Sequence, residues 1–390
     1  MHGKICIPRT EYKARVEKAA EAIRAEGLDA LIVNGNEADY ANTRYFSGFW
    51  PLFERCGVAI SPSGDAALLV GPESREFGKD RNQLDKIFVL KAYREGADPA
   101  YPELVADSFG DVFKGIGVSG KKLRIGVASY LDTNIVQYEA IREAFPEAEI
   151  VRADHIMVKL RSVKSVHEIN CLREGYRIAE AATHQVIAEI KPGLTELQMV
   201  GVAQRVIYDM GAEYEGLPMY VFAEKSTRHA ISRSSYRKFE KGDIVQLNLS
   251  AKIDGYSASM GFPVVLGRLE GKRRDIVLFG LEAHNWTEKQ LKAGVPAADV
   301  AKEFYQYYER NGYGANFVYG PLHGTGLIEV EAPWVETSSD YCFVPNMCFQ
   351  IDTFISTSEF GVRWEKGVAI TETGCDVLSA PIGKLYELEF

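Results

Sequence analysis

Nowhere in the 390 residues does an apolar run approach the roughly 18 residues that a membrane span needs. Lys and Arg form no cluster, and they are outnumbered 45 to 54 by Asp and Glu, for a formal net charge of −9. Such a surface makes nucleic acid and anionic membrane poor partners. The six cysteines (Cys6, Cys56, Cys171, Cys342, Cys348 and Cys375) show no CxxC pair and no regular spacing. That excludes a disulfide framework or a zinc ribbon and reads as reduced thiols. No glycine-rich loop of the GxGxxG or GxxxxGKS type follows a strand-like segment, so nucleotide binding has no support. The charged, helically spaced N-terminal stretch does not read as a secretory leader. What is present is ordinary: 46% apolar and 25% charged residues, the balance of a chain with a real core. The expectation is a cytoplasmic enzyme of two domains, or three, at about 150 residues each.

Hydrophobic periodicity gives the first 158 residues an α/β character. Apolar positions Tyr12, Val16, Ala19, Ala20 and Ile23 predict a helix that Thr10 caps and Gly27 ends. Strand-like runs follow at 30–33, 57–61, 66–70, 87–90 and 123–127, with a helix at 135–144. The pattern changes near residue 158, where we place the domain boundary, giving domains 1–158 and 159–390. A long helix is predicted at 166–190, broken by Lys191-Pro192-Gly193. Thr195 caps another running to about residue 210. Further helices are expected at 276–293 and 297–311 in an otherwise strand-rich half.

Two predicted hairpins aim polar residues at one place. In the segment 243–251, Val245, Leu247, Leu249 and Ala251 alternate with Gln246, Asn248 and Ser250. Asp254-Gly255 supplies a turn, and centring it between Ile253 and Asp254 sets Asn248 opposite Ser259. The second hairpin runs 348–354 and 361–370 around the polar tip Thr357-Ser358-Glu359, so that Asp352 faces Glu365. Two facing carboxylates must share a metal, a proton or a cation, or one stays protonated. Exposed strand acids are the bland alternative. Between the hairpins, His323 lies in Leu322-His323-Gly324-Thr325-Gly326, where glycine lets backbone approach a ligand closely.

Together these motifs resemble the pita-bread superfamily of methionine aminopeptidase, aminopeptidase P, prolidase and creatinase. The supporting residues are Lys241-Gly242-Asp243-Ile244, the Gly255-Tyr256 hairpin, His323 to Leu327, Ala332-Pro333, and Gly361-Val362-Arg363-Trp364-Glu365 before Thr371-Glu372. The resemblance spans the chain and implies an α+β protein. Its C-terminal pita-bread domain would follow an α/β domain of the creatinase and prolidase type. Peptidases of that superfamily hold two metal ions through Asp, Asp, His, Glu and Glu. The matching positions here are Asn248, Ser259, His323, Asp352 and Glu365, and the peptidases' further histidine is replaced by Val330. A dinuclear site needs several anionic oxygens to offset charge and bridge the ions, which an amide and a hydroxyl do not supply.

Creatinase is the precedent for a relative that works without metal. The resemblance thus implies a metal-independent hydrolase of a C–N bond in a small nitrogen compound, with no resident cofactor. His229 and His323 would move protons, with Glu365 and Asp352 as catalytic carboxyls. Asn248, Ser259, Gln246 and Arg363 would bind substrate. Creatinase's own catalytic glutamate is missing, since Met260, Gly261 and Phe262 follow Ser259. The resemblance also implies a homodimer in which the 45–55 loop helps close the partner's site. Phe49, Trp50 and Arg55 would line that pocket, against the alternative of packing inside their own domain; Trp334 poses the same choice. Three other readings stand beside this one. The first is an Xaa-Pro dipeptidase or aminopeptidase P-like metallopeptidase with one ion at His323, Asp352 and Glu365. The others are a non-catalytic binding protein and a lyase on the same scaffold.

Overall fold

The computed structural model describes residues 5–379 and 383–390. Residues 1–4, part of the stretch read for a leader, lie outside them. The chain divides into two compact units, parting between Arg161 and Ser162.

The first unit holds a six-stranded sheet of β1 (Ala30–Gly35), β2 (Cys56–Ile60), β3 (Ala66–Val70), β4 (Lys86–Val89), β5 (Arg124–Ala128) and β6 (Glu149–Arg152). Their order is β4-β3-β2-β1-β5-β6, with β1 parallel to β5 and antiparallel to β2. The helices are α1 (Arg9–Ala25), α2 (Ala41–Ser47), α3 (Arg75–Arg81), α4 (Phe109–Gly115), α5 (Ile135–Ala144) and α6 (Asp154–Ser162). Strand residues Ile32, Leu69 and Val127 meet Phe109, Phe113 and Ile141 of α4 and α5 in a common core. The first helix begins a residue before Thr10, with Pro8 and not Thr10 at its N-cap.

In the second unit, α7 (Val166–Glu189) and α8 (Glu196–Asp209) both open with a reciprocal capping box, Ser165 with Glu168 and Thr195 with Gln198. Strands β7 (Tyr220–Ala223), β8 (Ile244–Ile253) and β9 (Tyr256–Val265) precede α9 (Gly271–Glu288) and α10 (Ala297–Arg310). Then come β10 (Phe317–Tyr319), β11 (Leu322–Gly324), β12 (Glu331–Trp334), β13 (Cys348–Ser356) and β14 (Gly361–Ile370). The main sheet runs β12-β11-β13-β14-β9-β8-β7. Helix α7 packs on β8 and β9, while α9 packs on β13 and β14. All four central strands are buried along both faces except for Ser356. Polar side chains facing inward there must find partners or a ligand.

Two expectations are corrected here. The helix expected at 276–293 runs instead over Gly271–Glu288. Its first turn is anchored by Arg273 on Glu224 and Arg274 on Glu387. The register of the first hairpin also shifts. Asp254 (φ +48°) and Gly255 (φ +91°) are both left-handed, forming a two-residue turn that pairs Ile253 with Tyr256. Asn248 therefore faces Gly261, and Ser259 faces Ser250. Asn248 and Ser259 still share a face of the sheet, as diagonal neighbours. Among the described residues no helix is long and apolar enough to cross a membrane.

Candidate active site

The second hairpin forms the floor of the site. Asp352 on β13 pairs with Glu365 on β14, as the sequence predicts, and Arg363 lies two residues along on the same face. All three are about 5% exposed or less. The guanidinium lies against both carboxylates, with Nε 3.5 Å from Asp352 Oδ1 and 3.2 Å from Glu365 Oε1. Its outer nitrogens donate to the Tyr220 hydroxyl and, at 3.0 Å, to the Ala230 carbonyl. The rings of Phe354, Tyr319 and Tyr220 surround it, with Phe354 nearest at 4.7 Å to its centroid. Arg363 thus holds the two carboxylates together while also lining the cavity above them.

The first hairpin supplies neutral groups. Gln246 accepts from Arg363 N at 2.8 Å and donates to Arg363 O and Asn248 Oδ1, each at 3.0 Å. It ties β8 to β14 and does not line the cavity. Gly261 faces Asn248 on one side and Glu365 on the other. A Cβ at Gly261 would lie 2.6 Å from Asn248 Nδ2, so the amide occupies the space a side chain there would need. Asn248 Nδ2 is buried without a hydrogen-bond partner of its own, and its nearness favours the charged form of Glu365. Ser259 Oγ is buried without a hydrogen-bond partner.

His323, on β11, completes the cluster. Its Nδ1 is 3.0 Å from the Gly324 carbonyl, which can only accept, so Nδ1 carries the proton and Nε2 is left as an acceptor. Nε2 lies 4.0 Å from Asp352 Oδ2 and 4.0 Å from Glu329 Oε1. Trp334 stacks at an angle beside the imidazole, 5.7 Å between centroids. Glu329 was not anticipated from the sequence. The signal was the acid–apolar–acid run Glu329-Val330-Glu331, read only for the histidine missing at Val330. Tyr220 and Tyr319 were also missed, since nothing local distinguishes them from the chain's other 18 tyrosines.

Above this floor opens a cavity of about 720 Å³ with Leu217, Pro218, Ile231, Val330 and Trp334 on its apolar wall. Burial, then the charge on Asp352, raise the carboxyl pKa values of Glu329 and Glu365 well above the ordinary 4.5; Arg363 opposes both shifts. Three carboxyls around one guanidinium cannot all ionise cheaply in this setting.

Other predicted site residues lie elsewhere. His229 is exposed, with Nδ1 3.2 Å from Ser232 Oγ and its ring edge-on to Phe222. It does not line the cavity, although Ala230 to Arg233 do. A short 3-10 turn (Glu224–Arg228) ends at His229, and the next residue turns its carbonyl inward to Arg363. The general acid/base expected at His229 therefore lies outside the described cavity in this structure. Phe49 is fully buried in the first unit, its ring 5.1 Å from Phe77, and is a core residue there. Trp50 donates to the Glu37 carbonyl in the same unit, and Arg55 immediately precedes β2. The described cavity is lined by none of these three.

The residues present do not fit a pair of metal ions. Two of the five expected ligand positions carry an amide and a hydroxyl, and a guanidinium already bridges the two carboxylates. Among the described residues no three His, Cys, Asp or Glu side chains come together closely enough to hold an ion. His323, Glu329, Asp352 and Glu365 line the cavity as its groups able to take or give a proton.

Residues 170–372 match the metallopeptidase family M24, and residues 15–163 match the creatinase/prolidase N-terminal domain. An Xaa-Pro dipeptidase of Pyrococcus furiosus is 25% identical over 372 residues, covering 94% of this chain and 98% of that one. An uncharacterized peptidase of Bacillus subtilis, YqhT, is 24% identical over 92% of this chain and 96% of its own. Among solved structures, an X-Pro aminopeptidase of Thermotoga maritima superposes with a TM-score of 0.82 at 22% identity, covering 96% of this chain and 99% of that one. The prolidase of Pyrococcus horikoshii gives 0.81 at 22% identity over 95% and 99%. At these identities the structural likeness establishes the fold, which is the expected α+β pita-bread architecture behind an α/β domain.

Proposed function

Since this chain belongs to metallopeptidase family M24, we propose that it hydrolyses the C–N bond of a dipeptide-sized substrate in the cavity above His323, Glu329 and Glu365. The relatives named as Xaa-Pro dipeptidases favour an amide substrate of this size over the guanidino compounds of creatinase. The observation that carries the reading is the buried trio itself: an imidazole acceptor and two carboxyls of raised pKa under an apolar wall.

The environments of the two carboxyls divide the labour. Glu365 touches Arg363 and lies by the Asn248 amide, which favours its charged form, and we assign it as the base for water. Glu329 lacks the amide and keeps its proton, which it donates to the leaving nitrogen as the C–N bond breaks. His323 Nε2, 4.0 Å from both Glu329 and Asp352, accepts the proton in transit and returns it. Water adds its hydroxyl to the carbonyl carbon and its proton passes to the amine, so the reaction balances as amide plus water to acid plus amine.

The second reading is a single divalent ion held by His323, Asp352 and Glu365, favoured by the family's name and its dipeptidase relatives. The substrate assignment is tested by measuring amine release from Xaa-Pro and other dipeptides beside creatine and simple amidines. Turnover of dipeptides is expected. Turnover of only the guanidino compounds, or of none of the panel, would overturn it.

A further inference from the structure

Glu329 sits on the six-residue loop (325–330) that runs from β11 into Glu331, the first residue of β12, without a helix or strand to hold its side chain in place. What holds it lies underneath. Glu331 turns its carboxylate under the loop, where Oε1 meets Lys164 Nζ at 2.8 Å, both side chains being 6% exposed or less. Gly326 rests on that pair. A Cβ there would come within 2.4 Å of Glu331 Oε1 and 3.0 Å of Lys164 Cε. The far side of the loop is held by β9, with Ser257 N donating to Gly326 O at 2.7 Å and Ser257 Oγ to Leu327 O at 3.1 Å. Lys164 is itself fixed, its amide donating to Asn346 O at 2.9 Å just before β13. The ion pair thus spans 167 residues of sequence to pin a loop against the strand that carries Asp352.

We propose that Lys164 and Glu331 are positioning residues, setting the Glu329 carboxyl against His323 Nε2 for proton transfer. The inference rests on the hydrolytic reading of that trio. A buried ion pair contributes little net stability compared with apolar residues of the same volume, whereas losing one partner leaves a buried charge uncompensated. Stability and positioning can therefore be separated. Converting both residues together, Lys164→Met with Glu331→Met, removes the charges without leaving either alone.

The double variant is expected to melt close to wild type. Its kcat should fall on the order of 10- to 100-fold, the scale of a misplaced catalytic group, with KM little changed. Amide exchange at Gly326 and Ile328 should speed up, and Lys164→Arg, which keeps the charge, should restore most of kcat. Should the Met pair not fold, Lys164→Gln with Glu331→Gln takes its place. Wild-type kcat in a folded double variant would overturn the proposal, as would unchanged exchange across 325–330. If wild type turns over no substrate, the hydrolytic reading fails, while the exchange arm still decides whether the pair fixes the loop.

Discussion

The two hairpins that meet at the site have the same architecture and opposite chemistry. Where β8 and β9 face the site they carry Gln246, Asn248, Ser250, Ser259 and Gly261, all neutral, the cation Lys252 lying further along the same face over Tyr214. On β13 and β14 the corresponding face carries Asp352, Arg363 and Glu365. The neutral hairpin serves the charged one: Gln246 grips the backbone of Arg363, and Asn248 lies over Gly261 toward Glu365. The difference teaches that burial alone does not assign a catalytic role. Both sets are buried, and only the second holds a carboxyl, Glu365, whose pKa burial and the Asp352 charge push upward.

Breaking the charged side should have the largest effect. Glu365→Gln keeps the shape and removes the base, so kcat should fall by about 10²- to 10⁴-fold, measured by amine release. Glu329→Gln removes the acid, with a loss of about 10²-fold or more, and it also separates activity from stability. A carboxyl whose folded pKa is raised makes the protein lose stability as pH rises above the unfolded value and through the folded one. The wild type bears that loss at Glu329 and the amide variant does not. Thermal melts should therefore show Glu329→Gln gaining on wild type between about pH 5 and pH 8, while a gain at low pH only would contradict the assignment.

Charging the neutral hairpin sharpens the contrast. Asn248→Asp sets a further anion beside Glu365, pushing its pKa higher. The acidic limb of the pH–rate profile should then move upward, with kcat at neutral pH down roughly tenfold. Gly261→Ala should act in the same direction and more weakly, on the order of a few-fold, because its Cβ displaces the Asn248 amide. Ser259→Ala, which removes a hydroxyl without a partner, should change kcat by less than about twofold.

How much of this could be read from the sequence follows from what local patterns encode. The Asp352–Glu365 pairing follows from alternation around a polar tip, and His323 stands out between small residues, so both were legible. The first hairpin's register was read two residues off on the returning strand, because Asp254 and not Ile253 takes the first left-handed position of the turn. Glu329 and the Lys164–Glu331 pair depend on contacts across the fold that no periodicity reports. His229 shows the converse: its sequence neighbourhood fits the family, yet after a short 3-10 turn its side chain is exposed and the carbonyl of the next residue meets Arg363. Phe49 read as a loop aromatic near a cation and is instead core of its own unit. In the pita-bread unit, strand alternation made the fold readable while the loops between strands decided the site.

The central claim is that side chains on the charged hairpin and the 325–330 loop perform the hydrolysis, with Arg363 as the cation between Asp352 and Glu365. Its most direct test is metal content measured alongside dipeptide hydrolysis, on protein treated with a strong chelator and then given one divalent ion at a time. Chelation should leave kcat unchanged, with no ion bound stoichiometrically. Loss of turnover on chelation, restored by one ion per chain, would contradict it and establish the single-ion reading.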